Sequence, residues 1–151
     1  MILKKILVPV DLSAGSKEVV DYAVLLARAL GVSVTLFHVY DAPRLMSQIV
    51  PGADNDADTI AIRADALLQL GKLREVVGHE FSALEIAIEC GEPTSAILSQ
   101  ADSGKFDLIV IGTHGRSGVD RMLMGSVAEG VVRRASIPVV TIHLPRHPLR
   151  Q

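Results

Sequence analysis

The sequence is poor in the residue types on which several classes of binding site depend. Its 151 residues include one cysteine, no tryptophan and only 3% aromatic residues. With Cys90 alone, an internal disulfide and a cysteine zinc cluster are excluded, and we interpret Cys90 as a strand-end residue. So few aromatic rings argue against a surface that stacks the bases of single-stranded nucleic acid.

Long runs of one charge and long apolar runs are also missing. The formal net charge is -2, and no long basic run is present, so neither nucleic acid nor a membrane surface is indicated as a partner. No apolar run approaches the roughly 20 residues that span a bilayer. The first ten residues lack the long apolar core and cleavage site of a signal peptide. We therefore expect a cytoplasmic protein.

What the chain does contain is an alternation of predicted strands and helices. Apolar residues make up 49% and charged residues 21%, which predicts one folded domain over residues 1–151 with a frayed tail from about 145. Apolar runs at 2–10, 32–39, 81–88, 106–111 and 137–142 predict five strands. The segments between these strands carry helical periodicity or helix-start signals and are predicted to be helices. In the second of them, one apolar stripe contains Ile62, Ala66, Leu70, Leu73 and Val77.

Strands that alternate with helices predict an open parallel sheet with helices on both faces. Pro138 places the fifth strand near an edge of that sheet. The segment 41–58 reads as a long polar loop, and its role stays open.

A glycine-rich segment follows the fourth predicted strand. It reads Gly112-Thr113-His114-Gly115 and, nine residues later, Gly125-Ser126 at the start of the last helix. In parallel sheets, ligands bind beyond the carboxyl ends of the strands. Glycine lets backbone N–H groups approach an anion, and a helix N-terminus favours phosphate. The segment therefore predicts a phosphate site, although both common phosphate motifs, G-x-x-x-x-G-K-[ST] and G-x-G-x-x-G, are missing.

Structural interpretations of the same residues stay open. The glycines can serve only to end the strand and turn the chain, and His114 can be an ordinary loop histidine. Ser126 and Glu129 match the S-x-x-E capping box, which stabilises a helix start without any ligand. Asp11, directly after the first strand, can accept from a ribose hydroxyl or bind Mg²⁺, or it can cap the helix that follows.

These motifs together resemble the universal stress protein family. Gly112-x-x-Gly115, nine residues and Gly125-Ser126 is similar to the family's ATP-binding signature. Further segments also resemble parts of the family. Residues 6–13 are similar to its first strand and acidic turn, and residues 37–40 to the end of its second strand. Residues 125–129 and 137–140 are similar to its last helix and strand. The resemblance implies strand order 3-2-1-4-5, a fold of the adenine nucleotide alpha hydrolase-like type, and membership of the ATP-binding branch.

The resemblance also implies a set of site residues. Asp11 would lie near the ribose or a phosphate-bound Mg²⁺, and Val39 would offer its backbone to the adenine edge. The implied cofactor-binding residues are Pro9, Val10, Asp11, Val39, Gly112, Thr113, His114, Gly115, Arg116, Gly125, Ser126 and Val127. The cofactor would be ATP, or AMP or ADP in its place. The implied partner is a second copy of the chain, paired through the fifth strand from Ile137 to Ile142.

Three hypotheses about function follow. The first is a nucleotide-dependent dimeric module of the stress response, read by an unknown protein partner. The second is an enzyme that hydrolyses ATP slowly, because the loop lacks the phosphate-binding lysine of faster enzymes and only His114 or Asp11 stands near as a base. The third is a dimeric scaffold without nucleotide. A receiver-like signalling domain is disfavoured, since Glu89-Cys90-Gly91 supplies no aspartate after the third strand.

Overall fold

The computed structural model of the protein describes residues 2–41, 57–79, 81–113 and 125–144. Within these residues five strands alternate with four helices. The strands are β1 (Lys5–Pro9), β2 (Ser33–Tyr40), β3 (Leu84–Cys90), β4 (Leu108–Gly112) and β5 (Val139–Ile142). The helices are α1 (Ser16–Leu30), α2 (Ala57–Gly78), α3 (Pro93–Ser103) and α4 (Ser126–Arg134). The predicted loop at 41–58 falls largely in residues 42–56, outside the described residues.

The strands form one parallel sheet in the order β3-β2-β1-β4-β5. The predicted α/β architecture and strand order are therefore confirmed. Strand β3 and strand β5 lie at the two edges, as Pro138 indicated for β5. Strand β1 is shorter than predicted, at five residues, and Cys90 ends β3 as expected.

Alternate side chains of the central strands supply two apolar cores. Ile6 and Val8 of β1 pack on one face with α1 and with Leu70 of α2. Leu7, between them, packs on the other face with residues of α3 and α4. All three β1 side chains are fully buried, and each such burial contributes about 1.5–3 kcal/mol. The sheet is thus covered on both faces, which explains the continuous apolar runs in β1 and β4.

Helix α2 follows the predicted stripe except at its start. Ala66 and Leu70 are buried, and Leu73 and Val77 are half-buried against the core. Ile62, the first residue of the stripe, is 36% exposed, and Thr59 is the buried residue near the start of the helix. No helix in the described ranges is long and apolar enough to cross a membrane.

The amino ends of β1 and β4 are joined by Asp107. Its Oδ2 accepts hydrogen bonds from the backbone N–H groups of Lys4 at 2.8 Å and Lys5 at 3.0 Å. These two bonds lower the pKa of the Asp107 carboxyl, because they favour its charged form. The Lys5 ammonium donates to the carbonyl of Gly104 and lies 4.6 Å from the centre of the Phe106 ring. These contacts hold the edge of the sheet opposite to the candidate site.

Candidate functional site

A cavity of about 320 Å³ opens at the carboxyl edge of the sheet. Its walls come from the ends of β1, β2 and β4 and from the first turns of α1, α3 and α4. Strand order reverses between β1 and β4, so the cavity lies at the point where open α/β sheets bind ligands. Its volume falls at the lower end of the range for small-molecule sites, about 300–1,000 Å³.

The structure brings nine of the twelve candidate residues together around this cavity. They are Pro9, Val10, Asp11, Val39, Gly112, Thr113, Gly125, Ser126 and Val127. The other three, His114, Gly115 and Arg116, lie outside the described residues. The nine come from four separate segments of the chain, which meet only because β1 pairs with both β2 and β4.

Eleven lining residues were not predicted from the sequence. They are Ser13, Gly15, Ser16, Val19, Phe37, His38, Pro93, Ile97, Ile111, Ala128 and Leu144. Most lie within a few residues of a strand end or helix start that the sequence did indicate. The rule that ligands bind beyond the carboxyl ends of parallel strands would have found them if it had been applied to every strand. Leu144 lies two residues after the predicted end of the fifth strand, so the same rule applied to that strand would have found it.

The cavity has an apolar end and a polar end. Phe37, Val39 and Ile97 form apolar wall on the α3 face, beside the end of β2. The Asp11 carboxylate, the Thr113 hydroxyl and serine hydroxyls lie toward β1 and β4. A ligand with one flat apolar part and one hydroxyl-rich or anionic part is the kind that such a cavity accommodates.

Asp11 is oriented by its own loop. Its Oδ1 accepts from the backbone N–H of Ser13 at 2.9 Å and from the hydroxyl of Ser16 at 3.2 Å. The position that caps α1 is occupied by Gly15, which makes no side-chain cap bond. The interpretation of Asp11 as the residue that caps α1 is therefore wrong, and its carboxylate borders the cavity instead.

His38 is a buried polar residue of the cavity wall, with 9% of its surface exposed. Its Nδ1 lies 2.8 Å from the backbone carbonyl of Val10. A carbonyl only accepts, so Nδ1 carries the proton of this bond, and in the neutral ring Nε2 is an acceptor. The bond ties the end of β2 to the segment after β1, beside the ladder bond from the Val10 N–H to the Phe37 carbonyl at 2.9 Å.

The three helix N-termini at the cavity differ in what covers them. Glu92 caps α3 by accepting from the backbone N–H groups of Ser95 at 2.8 Å and Thr94 at 3.0 Å. These bonds, with that to Ser95 the largest, lower the pKa of the Glu92 carboxyl. At α1, the side chain of Leu144 packs against Gly15. The first turn of α3 is thus capped by a carboxylate, whereas Leu144 supplies only an apolar contact at the start of α1.

Helix α4 begins differently. Its capping residue is Gly125, which makes no side-chain cap bond, and Ser126 is the first helical residue. The predicted capping box of Ser126 and Glu129 is therefore wrong, because Ser126 stands one position too late to cap. Glu129 instead lies 3.7 Å from the guanidinium of Arg133. Gly125, Ser126 and Val127 at this helix start line the cavity.

Thr113 links β4, β5 and α4 at the wall of the cavity. Its N–H donates to the carbonyl of Ile142 at 3.0 Å, and its hydroxyl lies 3.4 Å from both that carbonyl and Nδ1 of His143. Its own carbonyl accepts from the N–H of Gly125 at 2.6 Å. The start of α4 is thereby held beside the end of β4.

Comparison with known proteins agrees with this geometry. The model of the universal stress protein family matches residues 3–143, which is nearly the whole chain. The chain belongs to the universal stress protein family. A universal stress protein of Methanocaldococcus jannaschii is 29% identical over 143 residues, which cover 95% of this chain and 84% of that protein.

Solved structures of the family share its fold. The universal stress protein UspA from Lactobacillus plantarum is 28% identical, with a TM-score of 0.79 over 94% of this chain and 99% of that one. A universal stress protein in complex with cAMP is 26% identical, with a TM-score of 0.69 over 95% and 99% of the two chains. The family member from Archaeoglobus fulgidus in complex with dAMP is 27% identical, with a TM-score of 0.65 over 93% and 98%.

The fit of a metal ion to the site can be judged from the residues that the structure describes. Among them, no group of three or more histidine, cysteine, aspartate or glutamate side chains is placed to hold a metal. Asp11 is the only carboxylate among the described lining residues of the cavity. A site made of protein groups alone is therefore not formed in this part of the chain, whereas Mg²⁺ commonly uses one carboxylate together with substrate phosphates.

Proposed function

We propose that this protein binds an adenine nucleotide, with the phosphate over the N-terminus of α4. The observation that carries the proposal is the start of α4, where Ser126 and Val127 line the cavity and the capping residue Gly125 makes no side-chain cap bond. Unpaired N–H groups and the positive end of the helix dipole favour an anion there. Glu92 already bonds the first N–H groups of α3 with a carboxylate, and the apolar side chain of Leu144 packs against Gly15 at the start of α1, so we place the phosphate at α4.

The rest of the cavity suits the remainder of a nucleotide. Phe37, Val39 and Ile97 offer an apolar wall for the base, and we propose that the backbone of Val39 meets the edge of the adenine. Asp11 lies between this wall and α4, where a carboxylate can accept from ribose hydroxyls. The complexes of family members with cAMP and dAMP support an adenine ligand of this kind.

The finer assignment is ATP, with Mg²⁺ held by Asp11 and the phosphate oxygens. The support is the glycine pattern from Gly112 to Ser126, which resembles the family's ATP signature. Thr113, Gly125 and Ser126 are then the described residues nearest to the phosphates. His114, Gly115 and Arg116 are proposed to contribute as well.

We place the nucleotide in a regulatory role, in a cytoplasmic homodimer of the stress response. The edge strand β5 has half-buried apolar side chains at Val139, Val140 and Ile142, and pairing with a second copy would cover this edge. An enzymatic role is the second candidate. No lysine or arginine lines the described part of the cavity, which favours slow hydrolysis at most. The third candidate is a dimeric scaffold without nucleotide.

Calorimetric titration of the nucleotide-stripped protein with AMP and with ATP, each with and without Mg²⁺, tests the proposal. We expect saturable binding at one site per chain. The Asp11→Asn variant keeps an oxygen that can accept from Ser13 but removes the charge, and we expect at least tenfold weaker binding. The matched control is Asp21→Asn, which changes an exposed carboxylate of α1 paired with Lys17 at 2.7 Å and should bind as the wild type does.

Absence of binding by the well-folded wild type would leave the scaffold as the better description. Equal loss in both variants would point to a general charge effect rather than to the site. Phosphate release well above a control without protein, abolished in the Asp11→Asn variant, would favour the enzymatic candidate.

A further inference from the structure

Leu144 is an apolar residue at the polar end of the cavity. It follows β5 by two residues, is half-buried and packs against the core on the α1 face. It also lines the cavity beside residues of β4 and of the loop before α1. Neither the sequence pattern nor the proposed nucleotide contacts give this residue a role.

Gly15 leaves the space that Leu144 fills, whereas a Cβ on Gly112 would meet Val19 first, at 2.8 Å. Gly15 has φ -76° and ψ -12°, a right-handed helical conformation that any residue adopts. A Cβ at this position would overlap Cδ1 of Leu144, and among the described residues other than its chain neighbours only Leu144 comes within 4 Å of it. A Cβ on Gly112 would lie 3.8 Å from the same Cδ1. Glycine at position 15 is therefore explained by space for Leu144 and not by backbone conformation.

The position of Leu144 closes the cavity in one direction. Along the carboxyl edge, the cavity begins at β2, crosses β1 and reaches β4, and Leu144 stands beyond β4 on the side of β5. Neighbouring strands lie about 4.8 Å apart, so the floor from β2 to β4 is only about 10 Å wide. A nucleotide with its base beside β2 and its phosphate over α4 would extend toward Leu144.

We propose that Leu144 is the end wall of the nucleotide site and discriminates between nucleotides by the length of their phosphate chain. The inference rests on the proposed function and deepens it. With Leu144 packed against Gly15, the site accepts a nucleoside carrying one phosphate. ATP, the finer assignment above, binds when the Leu144 side chain moves away from Gly15, and the loss of that apolar contact lowers the affinity for ATP relative to AMP.

The test compares the dissociation constants of AMP and ATP for the full-length protein and its Leu144 variants. In Leu144→Ala the wall is shortened, and we expect the affinity for ATP relative to AMP to rise about tenfold. Leu144→Met keeps a side chain of similar volume and should leave this ratio within about twofold of the wild type. Leu144→Val removes one methylene and gives an intermediate ratio, which also serves if the alanine variant does not fold.

The outcomes separate the two proposals. If the wild type binds neither AMP nor ATP, the proposed function fails and the role of Leu144 fails with it. If the wild type binds nucleotide but the ratio is the same in the wild type, Leu144→Val and Leu144→Ala, only the end wall is refuted. A ratio that rises in the order wild type, Leu144→Val, Leu144→Ala supports it.

Discussion

The backbone carbonyl of Thr113 accepts a hydrogen bond from the N–H of Gly125 at 2.6 Å. The two residues are separated by residues 114–124 in the chain, yet this bond sets the end of β4 against the start of α4. The same Thr113 is tied to β5 through its N–H and the Ile142 carbonyl. One residue therefore fixes where the first turn of α4 lies relative to the sheet.

Replacing Gly125 by proline tests this bond without straining the backbone. Gly125 has φ -55°, which proline adopts readily, but proline has no N–H to donate. We expect Gly125→Pro to cost about 1 kcal/mol of unfolding free energy and to weaken nucleotide binding roughly tenfold, since the start of α4 loses its anchor. Gly125→Ala keeps the N–H and is the control. Urea unfolding and calorimetry measure the two effects, and equal affinities in the two variants would contradict the expectation.

The contact between Gly15 and Leu144 predicts a strong coupling of two substitutions. Gly15→Ala places a methyl group against Leu144 alone, so we expect a loss of about 1–3 kcal/mol in the wild-type background, as for overpacked sites. In the Leu144→Ala background this loss should vanish. A double-mutant cycle in urea gives the coupling energy directly. Additive effects would show that the two side chains do not meet.

Asp107 predicts a pH dependence of stability. The N–H groups of Lys4 and Lys5 lower the pKa of its carboxyl below the ordinary value of about 3.8. A carboxyl whose pKa is lowered in the folded state stabilises the protein above the unfolded pKa and loses this effect as the pH falls through the folded pKa. We expect Asp107→Asn to be less stable than the wild type at pH 7, because asparagine accepts the same bonds without charge.

The difference in unfolding free energy between Asp107→Asn and the wild type should shrink as the pH falls below about 3.8. Urea unfolding at a series of pH values checks this, with Asp21→Asn as the control for the loss of one surface charge. A gap that stays constant down to pH 3 would show that the Asp107 charge does not act through these bonds.

Strand β5 predicts how the proposed dimer can be broken. The carbonyls of Pro138 and Ile142 accept from β4, through the N–H groups of Ile109 and Thr113. By the two-residue period of a strand, the backbone groups of Thr141 then face away from β4. Thr141→Pro removes an outward N–H and should give a monomer in sedimentation experiments, whereas Thr141→Val should sediment as the wild type does. A wild type that is monomeric at micromolar concentration would refute the dimer itself.

Much of the fold could be predicted from the sequence because its signals are local. Apolar runs such as 106–111 predict buried strands, and Pro93 with Gly104 marks the two ends of α3. The candidate site was also partly predictable, since Asp11, Val39 and Gly112 lie at or just beyond strand ends and all line the cavity. The family resemblance, not periodicity, supplied the strand order.

The prediction was wrong where two interactions compete for one residue. Ser126 and Glu129 fit a capping box by spacing, but Gly125 takes the capping position because its N–H is held by Thr113. Aspartate is a common helix-capping residue, but the Asp11 carboxylate accepts from the N–H of Ser13 in the loop and from the hydroxyl of Ser16, the first residue of α1. Local spacing does not show which of two permitted bonds the folded chain makes.

The sequence by itself determined the alternation of strands and helices, the buried strands and the strand ends that could hold a ligand, because each of these depends on residues within one turn or one strand. Only the tertiary structure decided that Gly125, and not Ser126, takes the capping position of α4 and that Leu144 fills the space beside Gly15. Gly15 and Leu144 are more than one hundred positions apart in the chain. They meet because the order of strands in the sheet brings distant segments to one edge.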